Sequence, residues 1–343
     1  MPLPTTFAGV SARGEGLFAY VSLGGGYWLA TLTDPYPSTP LDSANSIAVD
    51  SSGNVYVCGY GYNASGYNVQ LISKYNTSGT IQWQRTLTDT SSAPNDYARS
   101  IAVDSSGNVY VCGSGRNSSG VVAQSISKYN NSGTIQWQNT LTDASATPNS
   151  IANSIAVDSS GNVYVCGYGR NSSNKNVQSI SKYNNSGTIQ WQKTLTDLYT
   201  SPSSSAYGIA VDSSGNVYVC GSGLNSAGYN VQSISKYNNS GTIQWQRTLT
   251  NTYLPADGAN SIAVDSSGNV YVCGYIYSAV NSQIQLIAKL PADGSKTGTY
   301  SGTNFGVTYA ASSWTSATST WTSATSTWTS ATSTWTTDKA LIP

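Results

Sequence analysis

The stretch IAVDSSGNVYVCG, residues 47–59, decides the fold, because it returns from Ile101, Ile155, Ile209 and Ile262. Its acidic residue marks the period: Asp50, Asp104, Asp158 and Asp212 stand 54 residues apart, and Asp265 follows after 53. A repeat at that spacing means an array of one structural module. Working outward from the first copy, the unit contains four short alternating runs, Ser46–Val49, Asn54–Gly59, Val69–Tyr75 and Thr80–Leu87. They are rich in Val, Ile, Tyr, Trp and Thr and free of Pro, as strands require. Between the first two runs lies Asp50-Ser51-Ser52-Gly53-Asn54, and between the last two Asn76-Thr77-Ser78-Gly79. Asp and Asn bond the backbone ahead of them and Gly supplies positive φ, so both read as hairpin turns.

Four antiparallel strands per unit predict an all-β chain built as a β-propeller of four-stranded blades. A solenoid of the same units is the alternative, but radial closure removes long exposed edges. The pattern IAVDSSGNVYVCG followed by SKYNxSGTIQWQ resembles the SBBP β-propeller repeat of bacteria and phages, over about residues 17–305. That resemblance implies a fold and no particular activity.

At the N-terminus, Phe18–Val21 and Tyr27–Thr33 match the third and fourth runs, with Trp28 to Asp34 aligning with Trp83 to Asp89. The first blade therefore begins half built. Phe305–Ser312 is the expected donor of its two inner strands, which gives six blades closed by pairing the chain ends; five is the alternative. The expected organisation is an arm (1–16), a propeller (17–312) and a tail (313–343).

The tail repeats TSATSTW, placing Trp314, Trp321, Trp328 and Trp335 seven residues apart, with Ala317, Ala324 and Ala331 three residues after the first three. A strand cannot use period seven, because alternate Trp would point to opposite faces. A helix would align Trp and Ala as the two seam positions of a heptad. Ser and Thr are mediocre helix formers, so such a helix needs support, and the four Trp are the expected assembly residues, joining copies of the chain or other proteins. A linker is the alternative.

Charged residues make up 9% of the chain, with 15 basic, 15 acidic and no His, against an average near 25% charged. No basic stripe suggests nucleic acid, and no apolar run is long enough to span a membrane. The N-terminus lacks the apolar core of a signal peptide. Cys58, Cys112, Cys166, Cys220 and Cys273 occupy one position in five units, too far apart for disulfides and without the clustered spacing of a metal site. They read as reduced, buried and slow to react. The repeated Asp reads as a turn former rather than a calcium ligand, since each turn offers one carboxylate where calcium needs six to eight oxygens. Trp83, Trp137, Trp191 and Trp245 read as packing between blades rather than a carbohydrate platform. Lys74, Lys128, Lys182, Lys236 and Lys289 recur too regularly to mark one asymmetric active site.

Without His the commonest general base is missing, so no enzyme and no cofactor are expected. In a four-stranded meander the constant turns share one face and the variable loops share the other. Those loops carry Tyr60, Tyr62, Tyr67, Arg116, Arg170, Tyr199, Tyr229, Tyr253, Tyr275 and Tyr277 among Ser, Gly and Asn, the composition of adaptable binding surfaces. They are the candidate binding face, for a host-surface glycan or protein, with ordinary solvent loops as the alternative. Propeller repeats followed by Ser/Thr/Ala heptads resemble structural proteins of tailed, particularly marine, phages. The expected function is a non-enzymatic virion component, a fibre, appendage or decoration protein assembled in the host cytoplasm, where reduced thiols belong. A bacterial surface or exported adhesin is the alternative.

Overall fold

The structure, a computed structural model, describes residues 27–34, 42–199, 203–253, 257–280, 282–303, 305–333 and 335–342. The expected arm at 1–16 and the strand match at Phe18–Val21 lie outside them. The described residues form strands and turns with no helix. In chain order the strands are β1 (Tyr27–Thr33), β2 (Ser43–Val49), β3 (Val55–Tyr62), β4 (Asn68–Tyr75), β5 (Ile81–Thr88), β6 (Tyr97–Val103), β7 (Val109–Arg116), β8 (Val122–Tyr129) and β9 (Ile135–Thr142). Then come β10 (Ile151–Val157), β11 (Val163–Arg170), β12 (Asn176–Tyr183), β13 (Ile189–Thr196), β14 (Ser205–Val211), β15 (Val217–Leu224), β16 (Asn230–Tyr237), β17 (Ile243–Asn251), β18 (Gly258–Val264), β19 (Val270–Tyr277) and β20 (Gln283–Leu290). The C-terminal strands are β21 (Gly298–Ser301), β22 (Gly306–Ala311), β23 (Thr315–Thr318), β24 (Thr322–Thr325), β25 (Thr329–Thr332) and β26 (Thr336–Ile342). The chain divides into two compact units, one of Met1–Thr142 with Ser323–Pro343, the other of Asp143–Thr322.

In the first unit β2–β5 and β6–β9 are successive antiparallel meanders, extended by β25 on β5 and β24 on β9, while β1 pairs with β26. Tyr56, Cys58, Ile72, Trp83 and Leu87 of one meander form a single buried cluster with Ala98, Ile101, Val109, Val111 and Tyr129 of the next. Trp28 and Ala30 of β1 pack on the opposite face of the first meander, against Val55 and Tyr75. In the second unit β10–β13 and β14–β17 repeat the design, with β23 on β13 and β22 on β17, and β21 adds outside β22. The last repeat has three strands, β18–β19–β20.

The turn chemistry is as the repeat requires. Asp50 Oδ1 accepts from the amides of Ser52 and Asn54, both at 2.9 Å, and Oδ2 accepts from Asn54 Nδ2 at 2.8 Å and Tyr56 Oη at 2.9 Å. Gly53 sits at φ 81°. Burial pushes the Asp50 carboxyl up, yet these donors outweigh it and hold its pKa below the usual value. The carboxylate is thus engaged by its own turn. Trp83 donates Nε1 to the Asn131 carbonyl at 2.9 Å and stacks 6.4 Å from Tyr129, so it joins one meander to the next. Trp191 does the same with Asn239 and Tyr237 in the second unit.

Three expectations are corrected. The tail is a series of short strands and no helix. Period seven is compatible with strands because each heptad is interrupted: four residues pair with one sheet, three step to the next, and the alternation restarts. The segment Phe305–Ser312, expected to supply the two inner strands of the half-built first repeat, instead contains β22, which runs along β17. The chain ends do pair, but through β1 and β26, from Tyr27↔Ile342 to Thr33↔Thr336. Among the thiols, Cys58, Cys112, Cys166 and Cys220 are buried and in no disulfide, whereas Cys273, also in no disulfide, is exposed.

Candidate functional site

Two features stand out: the variable loops, and the track on which the tail lies. The loop scaffolds are built by Asx turns. In the first unit Asn63 Oδ1 accepts from the amides of Ser65 and Tyr67, Gly66 takes φ 78°, and the Tyr67 ring is left 38% exposed. Beside it Tyr60 meets Tyr97 edge to face at 4.7 Å. The Tyr97 hydroxyl accepts from Asn68 Nδ2 and donates to Asn95 Oδ1, and the Arg99 guanidinium lies 6.0 Å from the Tyr97 ring. Tyr62 donates its amide to Asp34, and Arg116 its own to Asp89. The Arg116 guanidinium turns back onto the Gly120 carbonyl at 2.8 Å.

In the second unit Arg170 bridges two loops, donating to the Thr147 carbonyl and hydroxyl at 2.8 Å each. Tyr199 lies over Gly228, where a side chain would collide with its ring. Tyr229 and Tyr253 are about half exposed, and Leu198 beside Tyr199 is exposed too. Tyr275 and Tyr277 are partly buried, and their carbonyls accept from Gln232 and Asn251. Of the expected binding residues, Tyr67, Tyr229 and Tyr253 therefore offer open rings, while Arg116 and Arg170 also brace loops.

Sequence reading missed Tyr97, Asn95 and Arg99. Arg99 occupies the β-bulge between Ala98 and Ser100, a feature that re-aims a side chain and is common beside functional sites. The equivalent bulges hold Asn45, Asn153, Tyr207 and Asn260, with the first two donating to the Ala98 and Ala206 carbonyls. Variation at the first and third positions of this strand, Tyr97 and Arg99 where the first repeat has Ser43 and Asn45, against a nearly constant remainder, was the available signal.

Also missed were paired carboxyls at the loop bases. Asp89 accepts the Arg116 amide, while its own amide donates to Asp96 at 2.8 Å. Burial, with Asp89 alongside, raises the Asp96 pKa to about 9. Asp42 beside Asp34 is raised to about 7, again chiefly by burial. In the second unit the corresponding slot holds Ser150, whose hydroxyl donates to Asp143 at 2.8 Å. A neutral Asp and a Ser hydroxyl do the same work there, so the pairs read as structural. Among the described residues no group of three or more potential metal ligands occurs.

The tail track repeats once per four-stranded meander. In the first unit the Trp328 ring covers Gly115 and the Trp335 ring covers Gly61, the second Gly of each CGxG. Their carbonyls accept from Gln138 Nε2 at 2.8 Å and Gln84 Nε2 at 3.3 Å. In the second unit Trp321 covers Gly169 and Trp314 covers Gly223, with Gln192 and Gln246 donating to their carbonyls at 2.8 and 2.9 Å. Each Trp amide donates to the Ser hydroxyl two residues before it. All four rings are 3–6% exposed, so the expected assembly seam is buried within the chain. The last repeat reads CGYIY, with Ile276 in place of the second Gly; Ile276 shares a buried cluster with Val307, seven residues before Trp314.

Residues 38–67, 90–118, 144–172, 199–226 and 256–279 match the SBBP family, described as Beta-propeller repeat. No curated protein matches the chain. Among solved structures the chain is similar to a protein of unknown function from Bacteroides caccae, at 13% identity over 75% of this chain and 81% of that one, with a TM-score of 0.39. It is also similar to a structure named provisionally as a gluconolactonase, at 9% identity over 76% of this chain and 98% of that one, with a TM-score of 0.32. The chain is an all-β protein that carries the SBBP beta-propeller repeat five times over.

Proposed function

We propose that this chain is a non-enzymatic display scaffold, a virion appendage or decoration component that binds a host-surface glycan or protein through its variable loops. The observation that supports it is the contrast within each repeat: constant, hydrogen-bonded turns at one end, and at the other Asx-braced loops presenting Tyr67, Tyr229 and Tyr253. Tyr supplies large contact area at low entropic cost, and Ser, Gly and Asn supply adaptable hydrogen bonds. The tail fits a mechanical role, since it covers edges that would otherwise template aggregation. The virion assignment rests on the sequence resemblance. The test has two arms: mass spectrometry of purified particles, and binding of the chain to host-cell envelopes with Tyr67→Ser, Tyr229→Ser and Tyr253→Ser variants. Presence in particles and weakened envelope binding at an unchanged melting temperature are expected. Absence from particles rejects the virion role, and undiminished binding by the triple variant rejects the loop face.

A further inference from the structure

Among the described arginines, Arg85, Arg116, Arg170 and Arg247 each donate to a backbone carbonyl at 2.6–2.8 Å. Arg99 does not. Its guanidinium carries no hydrogen bond or ion pair among the described residues, and its Nε is buried without a partner, although the residue as a whole is partly exposed. Neutral residues at the same bulge are satisfied: Asn45 donates to the Ala98 carbonyl at 2.7 Å and Asn153 to the Ala206 carbonyl at 2.8 Å. A partly buried cation without a counter-charge is costly, and an unmet buried donor in a native structure raises the question of what completes it.

The surroundings of Arg99 are aromatic and polar, and all lie within the first unit. The Tyr97 ring stands 6.0 Å from the guanidinium, and Tyr60 meets that ring edge to face at 4.7 Å. Asn68 Nδ2 donates to the Tyr97 hydroxyl and to Asn95 Oδ1, both at 3.0 Å, and the hydroxyl donates to Asn95 Oδ1 at 2.9 Å. That triangle fixes the Tyr97 ring, yet it leaves Asn68 Oδ1 without a partner and Asn95 exposed. The cluster therefore holds an unmet acceptor beside an unmet cation. Tyr and Arg occur together at these two strand positions once: the other repeats carry Ser43 with Asn45, Ile151 with Asn153, Ser205 with Tyr207 and Gly258 with Asn260. A single asymmetric feature in an array of near-identical modules is what a binding site looks like and what a packing motif does not.

We propose that this cluster is a subsite for an anionic sugar, a pyranose whose carboxylate pairs with Arg99 while its apolar face lies on the Tyr60 and Tyr97 rings and its hydroxyls bond Asn68 and Asn95. The inference rests on the variable loops being a binding face and names the ligand class of one part of it. The guanidinium fork matches a carboxylate bidentately. Tyr rings supply contact area at low entropic cost, and an Asn amide offers both the donors and the acceptor that a sugar hydroxyl uses. An acidic peptide would supply the carboxylate, but its Asp or Glu side chain brings neither a hydroxyl for Asn68 nor a ring-sized apolar face for the tyrosines. Two sources present the required chemistry, the uronic acids inside a polysaccharide and the terminal sialic acid of a glycoconjugate.

The experiment is titration calorimetry of the full chain with tetragalacturonate and sialyllactose, with galactotetraose and lactose as their neutral counterparts, and with a tetraglutamate peptide. One of the two acidic sugars is expected to bind, and to bind roughly tenfold or more tightly than its neutral counterpart, because charge-assisted hydrogen bonds are the strong ones; which of the two binds identifies the source. Arg99→Gln is expected to erase that preference at an unchanged melting temperature, since the guanidinium holds nothing in the fold. Tyr60→Ala is expected to weaken binding without restoring the neutral sugar. The proposal is overturned if neither acidic sugar binds, if the neutral counterpart binds equally, if Arg99→Gln keeps the preference, or if tetraglutamate binds and no sugar does. Envelope binding that is lost in the Tyr67, Tyr229 and Tyr253 variant, with no acidic sugar bound, would remove the sugar subsite and leave the loop face standing. Envelope binding unaffected by that variant, with no acidic sugar bound, would remove both.

Discussion

At the scale of single residues, the repeats act as one another's controls. Asp96 and Ser150 fill the same slot, and both satisfy a neighbouring Asp. Because the Asp96 pKa is raised to about 9 by burial, the folded state binds its proton more tightly than the unfolded chain does. Its contribution is therefore fully present below about pH 4 and is lost as pH rises towards 9. Asp42 behaves alike up to about pH 7. Asp50, Asp89 and Asp143, held below the usual value, contribute in the opposite sense and lose their contribution in acid. Asp96→Ser should flatten the fall in melting temperature between about pH 5 and 9, and an unchanged pH slope would refute the neutral-acid reading. Gly115 makes a second residue-scale case. A Cβ there would collide with both the Trp328 ring and the Asp96 carboxylate, so Gly115→Ala should destabilise by about 1–3 kcal/mol, the usual cost of overpacking. Denaturant melts would show it, and an unshifted midpoint would mean that the ring does not occupy that slot. The pairing was half legible in the sequence: four CGxG motifs match four tail Trp residues, and the fifth repeat has Ile276 and no Trp. Nothing in a linear reading connects a 54-residue period to a 7-residue one.

At the scale of elements, strand existence and turn type were legible because each repeat states them redundantly. Ser46–Val49 and Thr80–Leu87 were read to within a few residues of β2 and β5. The tail was misread because a rule for continuous strands was applied to interrupted ones. Its Trp periodicity reports the step from sheet to sheet, with Thr329↔Thr88 on β5 and Thr315↔Thr196 on β13 in equivalent register. The tail should therefore be a stabilising element. Trp321→Ser and Trp328→Ser should each lower stability by on the order of 2–3 kcal/mol, the value of burying a large apolar side chain. Truncation after Ala311 should lower it further and expose the edges of β5, β9 and β13. Chemical denaturation of the three variants checks this, and a truncated chain as stable as the full one would show that the tail is dispensable to the fold.

At the scale of the whole chain, repeat number and module type followed from five copies of one motif, whereas the end structure did not. Ends are set by contacts that occur once, such as Tyr27↔Ile342, and a unique contact leaves no periodic trace. The loop chemistry was visible as Tyr-rich variability, but Tyr97 and Arg99 emerge only where β6 bulges beside β3. Repeat arrays gain stability from neighbour interfaces, and here a single strap adds a long-range bond to nearly every sheet. The strap is the central claim, and amide hydrogen exchange on the full chain and on the chain truncated after Ala311 tests it most directly. The account predicts slow exchange at the strap amides of Ser312, Ser319 and Ser326, which donate to Gln246, Gln192 and Gln138, and faster exchange in β5, β9 and β13 of the truncated chain with β3, β7 and β11 unchanged. Rapid exchange throughout residues 313–342, with β5, β9 and β13 indifferent to truncation, would contradict it.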